Sequence, residues 1–168
     1  VMGLINLGND SVDSLAFVTV VHARLGEANF GINPGDAEVL ATFRSDKNEV
    51  LQQLKSQAEL LAGIISDKYC LNDDVEYCEE FPVTINHPDA VSVIQQVAEE
   101  LDLDWESPEE SPFRWSEDFG FLTQWTKGAM FGLGAGIEHP VLHGQEFDFN
   151  DELLLPGVKM MESICRVI

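Results

Sequence analysis

Two histidines near the end of the sequence are the side chains best suited to bind a metal ion. His139 and His143 lie four residues apart, a spacing that places two imidazoles on one face of a helix. Pro140 disfavours a helix at this point because proline lacks a backbone donor, so the spacing alone does not predict a two-histidine site. His143 is the stronger candidate because it follows an apolar segment and a glycine-rich loop, where α/β proteins present functional groups. The alternative is a solvated loop histidine.

Arg44 is the second candidate, at the end of a predicted strand. Its planar guanidinium can bind a substrate carboxylate through two parallel hydrogen bonds, which a lysine cannot do. The chain has 30 acidic residues, so an ordinary ion pair with one of them is the alternative. The sequence leaves both interpretations of Arg44 open.

Other motifs are weaker. The glycines at 132, 134 and 136 do not have the spacing of a dinucleotide-binding loop, and no helix is predicted directly after them. The three cysteines are odd in number and have no CxxC spacing, which indicates reduced, buried thiols in a cytoplasmic protein.

The charge balance excludes several classes of partner. The chain of 168 residues has 9 basic and 30 acidic residues, a formal net charge of −21. Such a charge repels nucleic acids and anionic membrane surfaces. With 45% hydrophobic residues the chain is apolar enough to fold, and no apolar run is long enough to span a membrane. We therefore expect a folded protein that binds small molecules, metals or other proteins.

The elements that must position Arg44 form an α+β pattern. The order is the end of an apolar helix, two strands that form a hairpin, an amphipathic helix and a third strand. We predict them at residues 1–9, 15–23, 37–44, 47–68 and 75–83 respectively.

The pattern changes near residue 86, where we place a domain boundary. Asp89 is predicted to cap a helix over 90–101, and Ser116 to begin another that ends at Trp125. A buried strand is predicted over 129–136, before the loop that contains His143. The last helix is predicted over 152–167, with Asn150 or Asp151 as its cap.

Several of these segments, in this order, resemble one known family. They are Phe30–Glu38 with the strand ending at Phe43-Arg44, then Phe81–Asn86, then Ser116–Phe119, and finally Phe131–Gly134 with Val141–His143 and Phe147–Asp151. Together they resemble the M20 metallopeptidases and amidohydrolases, in the branch of aminoacylases and hippurate hydrolases. The resemblance implies that residues 1–86 are part of an α+β lid domain of the dimerisation type. Residues 87–168 would be the C-terminal part of an α/β zinc-peptidase-like catalytic domain.

The resemblance also implies roles for individual residues. His143 matches the last metal ligand of the family, and Arg44 matches the lid arginine that holds the substrate carboxylate. Gly31 stands where the family usually has a substrate-binding asparagine. The remaining metal ligands and the glutamate base lie upstream of the matched region in the family, so no catalytic residue is assigned in this chain.

The resulting expectation is a fragment of a metal-dependent hydrolase. It would use a divalent metal, zinc first and manganese or cobalt as alternatives, to cleave an amide bond in N-acyl amino acids or dipeptides. It would form a homodimer through the lid and be inactive alone, because one histidine cannot hold the metal. The alternative is a non-catalytic binding or assembly module built on the α+β lobe.

Overall fold

The computed structural model describes residues 2–7, 15–107, 113 and 117–168. Regular structure consists of five helices and two strands in these ranges, with a short 3-10 turn at Asp151–Leu153. In chain order they are α1 (Met2–Leu7), β1 (Ala16–Leu25), β2 (Ala37–Ser45), α2 (Asn48–Tyr69), α3 (Pro88–Glu100), α4 (Phe119–Thr123) and α5 (Leu154–Val167). The fold is therefore mixed, with helices and one small sheet.

The chain divides into two compact units. Unit 1 contains residues 1–83 and 112–116, and unit 2 contains residues 84–111 and 117–168. The change of unit after Val83 lies three residues before the boundary expected near residue 86.

Unit 1 is built on an antiparallel hairpin. β1 and β2 pair in a register that places Phe17 opposite Arg44, with an irregularity between Val20 and His22. Helix α1 packs against β1, and α2 packs against both α1 and β2. The apolar stripe predicted for α2 is confirmed at Leu54 and Ala58, which are buried, whereas Ile64 and Ile65 at the end of the same predicted stripe are exposed. The predicted hairpin and the long helix that follows it are thus present.

The strand predicted over 75–83 is not formed. This segment has no ladder partner among the described residues, and side chains attach it to α2 instead. The ammonium Nζ of Lys55 lies 2.6 Å from a carboxylate oxygen of Glu80 and 4.1 Å from the centre of the Tyr77 ring. The alternation of apolar and polar residues suits a strand, but a strand also needs a neighbouring backbone to pair with.

Unit 2 is held together by the packing of α3 on α5. Val97 and Ala98 of α3 and Met160 of α5 are buried. Around them pack Ile94, Leu101, Leu103, Phe131 and Ile164. The apolar face predicted for α3 is therefore confirmed.

The segment 129–136, predicted as a buried strand, has no regular structure. The side chain of Asn86 provides hydrogen bonds that a neighbouring strand would otherwise make. Its amide nitrogen donates to the Met130 carbonyl at 2.8 Å, and its oxygen accepts from the Met130 N–H at 2.9 Å. The sheet of an α/β domain is accordingly not formed within the described part of unit 2.

Helix ends differ in detail from the predictions. At α3 the cap is His87 rather than Asp89, since the His87 ring nitrogen Nδ1 accepts from the Asp89 N–H at 3.2 Å. Asn150 caps the 3-10 turn that precedes α5 rather than α5 itself, because its side chain accepts from the Glu152 N–H at 3.1 Å. The N-cap of α5 is Leu153, which makes no side-chain cap hydrogen bond. The helix expected from Ser116 to Trp125 is shorter, and Ser116 itself is outside the described residues. None of the described helices is long and apolar enough to cross a membrane.

Candidate functional site

His143 lies in a tight turn of the loop that precedes α5. The Gly144 N–H donates to the Val141 carbonyl at 2.9 Å, and His143 has a backbone φ of 67°. Residues other than glycine adopt this left-handed backbone conformation at a cost of about 1–2 kcal/mol. The His143 side chain is exposed. Cys70, Glu79 and Asp102 share this left-handed backbone, so the conformation does not by itself identify a ligand.

His139 has a different environment in the same loop. Its Nδ1 lies 3.0 Å from the Pro140 carbonyl, and its ring packs edge-on against Phe147 with 5.6 Å between ring centres. His139 is half-buried, whereas His143 is exposed. His139 therefore has local interactions that explain its position, which makes it a matched control for His143.

The described residues do not form a complete metal site. Within residues 2–7, 15–107, 113 and 117–168, no three His, Cys, Asp or Glu side chains come together as a metal site. A tetrahedral zinc site needs three or four such ligands. His143 fits as one member of a larger set, and the described residues do not complete that set.

Arg44 lies on β2 opposite Phe17 of β1, in the half-buried part of the hairpin. Its Nη1 donates to the Thr42 hydroxyl at 2.9 Å. Its Nε is buried and has no hydrogen-bond partner among the described residues. Arg24 and Arg166, by contrast, form ion pairs with Asp36 and Glu162. No described acidic residue pairs with Arg44.

Gly31 lies in the connection between β1 and β2. Its backbone φ is 82°, and a Cβ added there would meet no atom within 4 Å. Asparagine is the residue other than glycine that most readily adopts left-handed backbone. The position therefore has space for the asparagine that the resemblance implies, but a side chain there would meet the backbone strain of this left-handed φ.

The structure places the two candidate residues in different units, Arg44 in unit 1 and His143 in unit 2. The two depressions at the end of α3 are lined by neither residue. Sequence reasoning missed the roles of two asparagines, Asn48 and Asn86, whose side chains bind backbone groups distant in the chain. The only signal was the polar amide itself, which does not reveal a distant partner.

Comparison with known proteins identifies relatives along nearly the whole chain. A family model described as peptidase family M20/M25/M40 matches residues 6–166. An N-acetyldiaminopimelate deacetylase of Leuconostoc citreum (strain KM20) is 28% identical over 128 residues, which are 76% of this chain and 32% of the relative. An uncharacterized hydrolase of Staphylococcus aureus (strain bovine RF122 / ET3-1) is 26% identical over 153 residues, 88% of this chain and 39% of the relative.

A solved structure shares the fold. It is described as "a putative aminohydrolase from methicillin resistant Staphylococcus aureus", with a TM-score of 0.72 and 19% sequence identity. The alignment covers 98% of this chain and 43% of that one. The chain thus spans about a third to two fifths of the length of the curated relatives that it matches.

Proposed function

Because the chain belongs to the M20/M25/M40 peptidase family, we propose that it is part of a metal-dependent hydrolase that cleaves an amide bond. The proposed substrates are N-acyl amino acids or dipeptides. The observation that carries this proposal is the family match over residues 6–166, together with relatives named as a deacetylase and a hydrolase.

In this proposal His143 supplies one ligand to a divalent metal, with zinc as the first choice and manganese or cobalt as alternatives. Its exposed imidazole supports the assignment. A bound divalent metal polarises an amide carbonyl and lowers the pKa of a water molecule. His143 alone cannot hold the metal tightly, so the chain by itself is proposed to be inactive.

Arg44 is proposed to bind the free carboxylate of the substrate. Its guanidinium has no acid partner among the described residues, and its buried Nε lacks an acceptor. A carboxylate that accepts hydrogen bonds from Arg44 would satisfy these donors. Charge-assisted hydrogen bonds of this kind contribute about 1.5–3 kcal/mol each. This binding would orient the amide of an N-acyl amino acid by its charged end.

The proposed organisation follows the family resemblance. Residues 1–86 would be part of a lid domain that forms a homodimer, and residues 87–168 part of the catalytic α/β domain. A cytoplasmic location is proposed from the three free cysteines. The prediction that these thiols are buried is wrong, because all three are exposed.

A binding or assembly module is the second candidate. The outer part of the hairpin exposes several large apolar side chains, including Leu25, Phe30 and Leu40. Exposed apolar surface of this kind is typical of sites that contact other proteins. A module of this type would bind partners without turnover in any assembly.

Hydrolysis assays distinguish these proposals. The pure chain is incubated with N-acetyl amino acids and Zn²⁺, Mn²⁺ or Co²⁺, with and without a chelator. We expect no turnover by the chain alone. Chelator-sensitive turnover by the pure chain would refute its proposed inactivity while supporting the hydrolase class.

Binding of the same ligands tests Arg44 independently of turnover. NMR titration with an N-acetyl amino acid is expected to shift the Arg44 Nε–H signal. The shift should be lost when the ligand carboxylate is replaced by an amide. In Arg24→Ala, which removes an arginine already paired with Asp36, the titration should be unchanged. An unperturbed Arg44 signal would favour the binding module.

A further inference from the structure

The first turn of α3 is capped by the ring of a histidine. The His87 Nδ1 accepts a hydrogen bond from the Asp89 N–H at 3.2 Å, and His87 has the extended backbone typical of a cap, with φ −76° and ψ 132°. Pro88 follows at the start of the helix, where its missing N–H leaves no donor unpaired. The usual caps are serine, threonine, asparagine and aspartate, and none of these changes charge near neutral pH. A histidine cap does.

The acceptor of this cap exists only in the neutral ring. An imidazole that accepts at Nδ1 carries its proton on Nε2, whereas an imidazolium has donors on both nitrogens and no acceptor. Protonation of His87 therefore removes the hydrogen bond from the Asp89 N–H and leaves two donors facing each other. Imidazoles change charge between about pH 5 and 8, so this change falls in the physiological range.

Charged groups from two elements face the His87 ring. The Asp89 carboxylate oxygen Oδ2, on α3, lies 3.7 Å from the ring Nδ1. The Lys127 ammonium, on the segment after α4, lies 2.7 Å from the same oxygen. The hydrogen bond and charge of Lys127, followed by the charge of His87, lower the pKa of Asp89. Asp89 therefore stays a carboxylate while an imidazole titrates, and it is a partner for which an imidazolium competes with Lys127.

Other contacts hold the start of α3 without the His87 ring. The His87 backbone N–H donates to the Gly128 carbonyl at 2.8 Å, and the Asn86 side chain makes two hydrogen bonds to the Met130 backbone. The buried Val97 lies about three turns further along α3, where this helix packs on α5. Loss of the cap should therefore open the first turn of α3 and leave the core of unit 2 in place.

We propose that His87 is a pH-sensitive cap of α3: the neutral ring closes the first turn, and the protonated ring releases the Asp89 N–H and turns to the Asp89 carboxylate in competition with Lys127. The first turn is then closed at pH 8 and open at pH 5. The proposal goes beyond the hydrolase assignment and does not depend on it, because it concerns one end of a helix without substrate or metal.

Amide hydrogen exchange at Asp89, measured on the full chain, tests the cap. Protection of the Asp89 N–H, corrected for the ordinary pH dependence of exchange, should fall about two- to tenfold between pH 8 and pH 5, the effect of losing one ordinary hydrogen bond. The fall should follow protonation of the His87 ring, observed by NMR in the same samples. Constant protection while the ring becomes protonated would overturn the proposal.

Two substitutions at His87 separate the charge of the ring from the presence of a cap. His87→Asn keeps a cap acceptor that does not titrate, so the Asp89 N–H should be protected equally at pH 5 and pH 8. His87→Ala removes the acceptor, so exchange should be fast at both values. A pH dependence that persists in His87→Asn, or slow exchange in His87→Ala, would also overturn the proposal.

His22→Asn is the matched control, in unit 1. The His22 ring is also partly exposed, and its Nε2 lies 3.7 Å from a carboxylate oxygen of Glu38. His22 lies on β1 and caps no helix. The substitution therefore removes an imidazole that neighbours a carboxylate, and it should leave the pH dependence at Asp89 unchanged. Loss of that dependence in His22→Asn would refute the assignment to His87.

Discussion

Replacement of Arg44 by methionine separates a binding role from a structural one. The Arg44→Met variant keeps most of the aliphatic stem but removes the guanidinium, including the buried Nε, which has no acceptor in the part of the chain that the structure describes. An unsatisfied buried donor costs about 1–3 kcal/mol, and the lost hydrogen bond to Thr42 is worth about 0.5–1.5 kcal/mol. The two effects oppose each other, so we expect the free energy of unfolding to rise by about 1 kcal/mol.

The affinity for a ligand carboxylate, in contrast to the stability, should fall in Arg44→Met. Loss of a guanidinium–carboxylate pair costs about 2–3 kcal/mol, or roughly a hundredfold in the dissociation constant of an N-acetyl amino acid. In an assembled hydrolase the same loss should appear in KM with little change in kcat, because the carboxylate does not react.

Denaturant unfolding and ligand titration of the same variant decide between the two roles. The matched control is Arg24→Met, which removes an exposed arginine paired with Asp36 and should change neither quantity by much. If Arg44→Met lowers the free energy of unfolding by about 2 kcal/mol or more while ligand binding is unchanged, Arg44 is a structural residue and the reasoning is wrong.

Three further changes test the packing and electrostatics. Val97→Ala should lower the free energy of unfolding by about 2 kcal/mol, because Val97 is fully buried. The control is Val158→Ala at an exposed position, which should change the free energy of unfolding by less than about 0.5 kcal/mol. Chemical denaturation measures both. Burial, followed by a hydrogen bond and the charge of Glu59, raises the pKa of Tyr77 to about 12. Ultraviolet titration should detect this midpoint, and the stability that neutral Tyr77 contributes should be lost as the pH rises from about 10 to 12. The hydrogen bond and charge of Lys127 lower the pKa of Asp89, so its contribution to stability is lost as the pH falls through that lowered pKa. Lys127→Met should raise the Asp89 pKa in an NMR titration, and an unchanged pKa would show that Lys127 is not its cause.

Helices were the most predictable part of the fold. The period of apolar residues is a local property, and it identified α2 and α3 with their buried residues. The hairpin was also predictable, since turn residues separate two β-rich segments.

The segments 75–83 and 129–136 were predicted as strands and have no regular structure. Strand formation depends on a pairing partner, which the residues of the strand itself do not specify. The same limit applies to side-chain bonds between distant residues. Asn86 and Met130 are 44 residues apart, and no local pattern joins them.

The identities of the candidate site residues could be predicted from the sequence, but their three-dimensional surroundings could not. Sequence patterns selected Arg44 and His143, and the lack of an acid partner for Arg44 among the described residues became visible only in three dimensions. The left-handed backbone of His143 was also invisible in the sequence, because left-handed positions are usually recognised by glycine or asparagine.

The metal content of the assembled hydrolase that contains this chain tests the central claim most directly. Elemental analysis after gel filtration is compared for the unmodified protein, His143→Ala and the control His139→Ala, with turnover of an N-acetyl amino acid measured on the same samples. We predict that His143→Ala loses bound metal and about a hundredfold or more in kcat, as expected for removal of a metal ligand, while His139→Ala retains both. Full metal content and full turnover in His143→Ala would contradict the account.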